Sequence, residues 1–228
     1  MKLIKTEDSL HTIYSEKYNE TYHSRHGVFQ EADHVFIQGC DIPRLMHSGQ
    51  EVTILEVGFG TGFNFFLTAQ LAAAAKAKLT YFSLENDLLS LEDFKRLNHS
   101  AFFPKNTIWQ TFIDWREQPD TPKHGSNRIE TGNIQLILVY ADALNAQLPQ
   151  EKFDAVFHDA FSPGANPELW TCSFFEKIKS SMKNGAKLST YSAKGAARRA
   201  MLEAGFSVKK EKGPMGKREM LTAIKQAY

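Results

Sequence analysis

The most constraining feature is a strand signal running straight into a glycine turn and then a helix. Val52–Val57 is a short apolar run, read as a strand buried on both faces. Gly58-Phe59-Gly60-Thr61-Gly62 follows at once. Three glycines in five residues let the backbone turn tightly and approach a ligand closely. Residues 65–77 then read as a helix, and the start of a helix aims unpaired N–H groups at the same spot. Such a unit belongs to a parallel α/β sheet.

The alternation continues. Strands are predicted at 79–84, 134–140, 153–157 and 188–191, with a last pair at 208–212 and 220–224 around Gly213-Pro214-Met215-Gly216. Helical spacing covers 88–97, 108–115, 174–182 and 195–204, with Asn184-Gly185 and Gly205 as stops. Residues 118–133 are polar and rich in Pro and Gly, which predicts a loop with Thr131-Gly132-Asn133 as a hairpin turn. Residues 32–37 read as a short strand or a helix end. The expected fold class is α/β, Rossmann-like: a doubly wound, mostly parallel sheet with an antiparallel C-terminal strand pair. With 228 residues, one domain is expected, its fold carried by 51–228 and residues 1–50 packed on it as an extension.

Several classes drop out on composition. No apolar run approaches the eighteen residues of a membrane span, and the N-terminus turns acidic without a signal-peptide stretch. Cys40 and Cys172 stand far apart without metal-ligand spacing, so neither a disulfide framework nor a metal site is expected, and the cytoplasm is the default location. The net charge of +1 hides an asymmetry: residues 177–228 hold 13 Lys and Arg against 3 Asp and Glu. A basic face fits a nucleic-acid partner or a merely solvated surface.

Ligands of open α/β sheets bind beyond the carboxyl ends of the strands. Glu56, Glu85, Asp142 and Asp159 all fall at or just past such ends. Glu85, 23 residues beyond Gly62, is placed to accept from ribose hydroxyls. The glycine pattern is GxGxG, neither the dinucleotide fingerprint nor a Walker loop. An acidic Glu56 inside the motif suits S-adenosylmethionine, a sulfonium without phosphates, better than NAD. Asp142 is placed for the adenine amino group, or as a helix N-cap. Asp159 opens the loop Ala160-Phe161-Ser162-Pro163-Gly164 and is either a carboxylate facing an attacking amine or a loop cap. Phe161 is a base-stacking candidate, whereas Trp170 reads as core. His23, His26 and His158 read as surface or hydrogen-bonded histidines.

Four stretches together resemble a known family. Glu56 to Phe65 resembles its cofactor motif, and His158 to Trp170, with Asp-x-Phe, Pro and Asn-Pro-x-x-Trp, resembles its active-site signature. Gly216-Lys217-Arg218-Glu219-Met220-Leu221 is similar to its C-terminal signature, and Tyr22-His23-Ser24 through His34-Val35-Phe36-Ile37 to its N-terminal segment. The family is the methyltransferase part of the bacterial tRNA wobble-uridine enzyme MnmC and its stand-alone form MnmD. The likeness runs from about residue 8 to 224. It implies a class I methyltransferase fold and S-adenosylmethionine-dependent methylation of 5-aminomethyl-2-thiouridine at the wobble position.

The resemblance implies Asp159 as the catalytic carboxylate. It implies Glu56, Gly58, Phe59, Gly60, Gly62, Asn64, Glu85, Asp142 and Ala143 around the cofactor. On the substrate side it implies Tyr22, His23, Phe161 and Pro163, with Lys194, Arg198, Arg199, Lys217 and Arg218 for tRNA phosphates and the 1–50 extension on that side of the core. The bifunctional enzyme carries a second, flavin-dependent domain, for which this chain has no second glycine fingerprint. The aminomethyl tRNA is therefore expected from a separate enzyme or pathway. Two other readings stay open: a spermidine-synthase-like aminopropyltransferase, and a non-catalytic tRNA-binding protein with a vestigial cofactor pocket.

Overall fold

Val52–Val57 forms the central strand β4, every residue of it buried. The computed structural model describes residues 1–103 and 107–226, so the expected domain end at residue 228 lies outside the described residues. Around β4 run β5 (Leu79–Glu85), β7 (Ile134–Tyr140), β8 (Phe153–His158), β9 (Met182–Thr190), β10 (Ser207–Lys212) and β11 (Glu219–Ile224). With β6 (Gly125–Thr131) they make an eight-stranded sheet in the order β10-β11-β9-β8-β4-β5-β7-β6. The five strands from β9 to β7 are parallel, while β11, β10 and β6 add antiparallel. The chain order reverses at β4, whose neighbours are β5 and β8. This is the doubly wound Rossmann-like arrangement, and its switch point is where a ligand crevice opens.

Helix α3 (Phe63–Ala75) leaves the glycine turn into an aromatic core. Phe63, Phe65 and Phe66 are fully buried, and Phe66 packs on Trp109 and Phe112 of α6 (Thr107–Arg116). The other face of the sheet is covered by α7 (Cys172–Ser181) and α8 (Gly195–Glu203), which bury Phe175, Ile178 and Met201. Short helices α4 (Leu91–Arg96) and α5 (His99–Phe102) follow β5, and the Ser90 side chain accepts from Asp93 N to cap α4.

Four local expectations change. Residues 118–133 are not one loop: Gly125–Thr131 is the edge strand β6, turned at Gly132 onto β7 with only Asn127 and Ile129 buried. Asn184-Gly185 caps no helix. Helix α7 ends at Ser181 and β9 starts at once, the two residues lying where the β8–β9 register slips between Phe153 and Ala155.

Residues 32–37 belong to a π-helix, Ala32–Gln38, running on from α1 (Val28–Glu31) before α2 (Ile42–Met46). It lies hard against β9: Ser189 Oγ donates to Val35 O at 2.5 Å, and a Cβ on Gly39 would meet the same Oγ at 2.5 Å. Finally, the first residues form a separate small sheet of β1 (Lys2–Lys5), β2 (His11–Ser15) and β3 (Glu20–Thr21), which the sequence pattern did not announce.

Candidate active site

A cavity of about 440 Å³ opens beyond the carboxyl ends of β4, β5, β7 and β8, a size typical of small-molecule sites. Its floor is the glycine turn. Gly58, Gly60 and Gly62 have φ of 92°, 52° and 72°, the left-handed region that glycine tolerates. A Cβ on Gly58 would stand 2.8 Å from the Asp159 carbonyl oxygen, so this turn has no room for a side chain. Gly58, Phe59 and Gly60 line the cavity, whereas Gly62 lies behind it as the N-cap of α3.

Glu85, half-buried at the end of β5, braces the turn. One oxygen accepts from Gly60 N at 2.9 Å, the other from Asn86 N and Asp87 N at 2.9 and 2.8 Å. The oxygen bound to Gly60 keeps an acceptor position, as a ribose hydroxyl requires. Burial raises this carboxyl above its ordinary range. Asp142 does cap its own turn, accepting from Leu144 N at 2.9 Å and Asn145 Nδ2 at 3.1 Å, and it lines the cavity with Ala143 as well. Lys177 steadies that turn by donating to the Ala143 and Leu144 carbonyls at 2.9 and 2.7 Å.

Glu56 and Asn64 sit elsewhere than expected. Neither lines the cavity, and Glu56 is fully buried below the turn. Its carboxyl accepts from Ser83 Oγ at 2.9 Å and from Asn64 Nδ2 at 3.0 Å. Burial pushes Glu56 up to about 8, against the pull of those hydrogen bonds. The same Asn64 Nδ2 donates to Asp159 Oδ2 at 2.8 Å, so one amide ties the buried acid to the cavity acid.

Asp159 is half-buried, one residue past β8, and lines the cavity. Burial raises its carboxyl well above the usual range. The negative charges of Glu31 and Glu56 add to this, while Asn64 and Lys217 oppose it. A carboxylate of raised proton affinity, open to a cavity, is suited to taking a proton. Lys217 reaches the same space, donating to buried Glu31 at 2.7 Å with its ammonium 4.0 Å from the centre of the Tyr191 ring.

The N-terminal segment forms the opposite wall. His23 Nε2 stands 2.6 Å from Thr61 Oγ1, and burial lowers this imidazole to about 4, so it is neutral at physiological pH. Tyr22 meets Phe161 edge to face at 5.1 Å. Trp170 is core as expected, and its Nε1 donates to Phe161 O at 2.9 Å, holding the loop. His158 is also core, bonded to Leu169 O and lowered by burial to about 4.

The expected phosphate contacts scatter. Pro163, Lys194, Arg198, Arg199 and Arg218 do not line the cavity. Lys194 is exposed, its Nζ lying 3.6 Å from where a Gly164 Cβ would be. Arg199 is exposed on α8, and Arg218 is exposed beside Lys217. Part of the basic quarter is matched inside the chain, since Lys183, Lys187, Lys210, Lys217 and Lys225 all form ion pairs. Sequence reasoning missed Glu31, Tyr18 and Tyr191. Tyr191 follows β9 directly, so the strand-end rule reaches it. Glu31 lies in a polar stretch with no such signal. Among the described residues no three His, Cys, Asp or Glu side chains are grouped to hold a metal ion, and no helix is long and apolar enough to cross a membrane.

A family profile of S-adenosyl-L-methionine-dependent methyltransferases matches residues 107–226. The chain belongs to this family. Among curated proteins, the tRNA 5-methylaminomethyl-2-thiouridine biosynthesis bifunctional protein MnmC of Burkholderia thailandensis is 35% identical over 231 residues, covering 96% of this chain and 34% of that protein. Its namesake from Burkholderia multivorans is also 35% identical, covering 92% and 33%. The chain thus spans about a third of the length of these relatives. A crystal structure of MnmC2 from Aquifex aeolicus superposes with a TM-score of 0.79 at 26% identity, over all of this chain and 71% of that one. The methyltransferase cofactor is S-adenosylmethionine, and the site suits it. The Gly58 cradle leaves no room for a Cβ, and the Glu85 carboxylate keeps a free acceptor position beside Gly60.

Proposed function

We propose that this methyltransferase N-methylates the aminomethyl group of 5-aminomethyl-2-thiouridine at the tRNA wobble position. The observation that carries the reading is the wall of the cavity. Asp159, a carboxylate of raised proton affinity, opens the loop that bears Phe161, with Tyr22 against its ring. An amine beside a flat base asks for that pairing of acid and aromatic faces. The MnmC relatives, named for tRNA 5-methylaminomethyl-2-thiouridine biosynthesis, support the same substrate.

Gly58, Phe59, Gly60, Glu85, Asp142 and Ala143 would hold the cofactor, and Glu56, Gly62 and Asn64 support them from below. When bound, S-adenosylmethionine supplies a methyl group already activated by its sulfonium. The chain's task is positioning. Asn64 occupies Asp159 Oδ2, which leaves Oδ1 to accept the proton of the substrate ammonium and expose the nitrogen lone pair. Phe161 and Tyr22 orient the base, with His23 bracing the turn through Thr61. Lys194, Arg198, Arg199 and Arg218, with Pro163, face the RNA outside the cavity, and the 1–50 extension supplies the substrate-side wall of the 51–228 fold.

The aminomethyl tRNA is supplied by a separate enzyme or pathway. The substrate sets the location as the cytoplasm. The test is mass analysis of tRNA nucleosides after incubation with S-adenosylmethionine and aminomethyl-bearing tRNA, with putrescine in parallel. Gain of one methyl on the modified uridine is expected. Turnover of putrescine alone, with its decarboxylated co-substrate, would overturn the reading.

A further inference from the structure

The small N-terminal sheet sends a turn across the mouth of the cavity. It leaves β2 at Ser15 and returns on β3 at Glu20. It is pinned at both sides. Lys17 Nζ donates to Asp87 Oδ2 at 2.8 Å, just past β5. The Glu20 carboxylate accepts from Ser162 N at 3.0 Å and from Ser162 Oγ, past β8. Between the pins Tyr18 stacks on Phe161, with ring centroids 4.2 Å apart and planes 19° apart.

Neither ring is needed to close the core. Both are half-buried, both line the cavity, and neither belongs to the buried clusters that hold the sheet and helices together. The pins are polar contacts near the surface, and the Lys17 pair is largely exposed, so they hold the turn lightly. Two parallel aromatic faces in the mouth of a ligand cavity form a slot for something flat, here filled by the protein itself.

We propose that Tyr18 and Phe161 are the two walls of the slot for the substrate base, and that Tyr18 fills this slot by stacking on Phe161 until the base arrives. The inference rests on the RNA reading above. A flat base held between two rings needs about 7 Å, two van der Waals contacts of ~3.5 Å each. Tyr18 must therefore withdraw from Phe161, and the turn from Ser15 to Glu20 is the segment that carries it. Stacking senses the face of a base rather than its edge, so Tyr18 adds affinity for any flat base. Selection among bases is left to groups at the edges, and Asp159 stands two residues before Phe161 on the same loop.

The test uses the full chain with S-adenosylhomocysteine and an anticodon stem-loop carrying pyrrolocytosine, a fluorescent pyrimidine dimmed by stacking, at the wobble position. Wild type and Tyr18→Phe, which keeps the ring, are expected to dim the probe. Tyr18→Ala is expected to lose at least half of the dimming and to raise KM for aminomethyl tRNA about tenfold, the scale of one base–aromatic stack. Its S-adenosylhomocysteine Kd stays within about threefold of wild type, which reports an intact fold. A Tyr18→Ala variant with wild-type dimming and KM overturns the proposal. So does a wild-type chain that methylates aminomethyl tRNA without dimming the probe, and in that case the proposed function survives. Turnover of putrescine with no response to RNA sinks both.

Discussion

Glu56 offers a quantitative handle, because it is a fully buried acid at about 8 where an exposed one stands at 4.5. Between those values the folded chain holds the proton and the unfolded chain has released it. Stability therefore falls as pH rises through the interval, by about 1.4 kcal/mol per unit. Buried histidines act in the opposite sense lower down. Burial lowers His23 and His158 to about 4 and His99 to about 3, from 6.5. Their stabilising effect grows with pH and is complete only about a unit above 6.5, so it opposes Glu56 in the lower part of the interval. From pH 6.5 to 8 Glu56 itself removes about 1.6 kcal/mol, and a comparison with a variant that keeps the histidines isolates it.

Glu56→Gln is neutral throughout, keeps nearly the same shape, and retains an acceptor for Asn64 Nδ2. Where Glu56 is ionised, toward pH 8 and above, removing its charge also relieves Asp159, whose proton affinity that charge raises. Urea unfolding at pH 6.5, 7, 7.5 and 8 should show the variant gaining about 1.6 kcal/mol on the wild type across the span, the histidines acting equally in both. A difference between the two that stays constant with pH refutes the assignment of the buried proton to Glu56.

Asp159→Ala should lower methyl transfer by about 10²–10⁴-fold, the usual worth of a positioned proton acceptor, with S-adenosylhomocysteine binding retained in calorimetry; near-normal turnover would remove it from the reaction. Lys217→Met deletes the 2.7 Å contact to Glu31 and the ammonium that holds Asp159 down. Asp159 then rises further, and the acid limb of the pH–rate profile is expected to move to higher pH. A limb that stays put or moves down shows that Lys217 does not act on Asp159.

The α/β alternation was legible because each buried strand is a short apolar run beside a helical one, from Val52–Val57 to Glu219–Ile224, with Ser207–Lys212 as an exposed edge partner beyond the last of them. What escaped lies at edges. Strand β6 buries only Asn127 and Ile129, so its composition is that of a loop although its hydrogen bonds are those of a ladder. The N-terminal strands are two to five residues long, too short for periodicity to register even though β2 buries Thr12, Ile13 and Ser15. That sheet nevertheless supplies Tyr18, Glu20 and Tyr22 to the cavity. In this chain the least patterned segment makes much of the substrate wall, because a wall needs exposed aromatic and polar groups and a core strand needs the reverse.

Within the candidate site one residue of register separates a ligand contact from a support. Four acids were marked as lying at strand ends, but an end has two sides. Glu56 is still inside the ladder, opposite Ser83 on β5 and Phe157 on β8. A side chain there points to one face of the sheet, under the helices, so Glu56 pairs with its cross-strand neighbour Ser83 and with Asn64 of α3. Asp159 is one step beyond His158, the partner of Val57, and Asp142 is two beyond Tyr140, the partner of Glu85. Past the last rung no neighbouring strand or helix covers the side chain, and it enters the crevice. A sequence locates a strand end to within a residue or two at best. That margin is the whole difference between Glu56, whose raised proton affinity is read out in stability, and Asp159, whose raised proton affinity is read out in turnover.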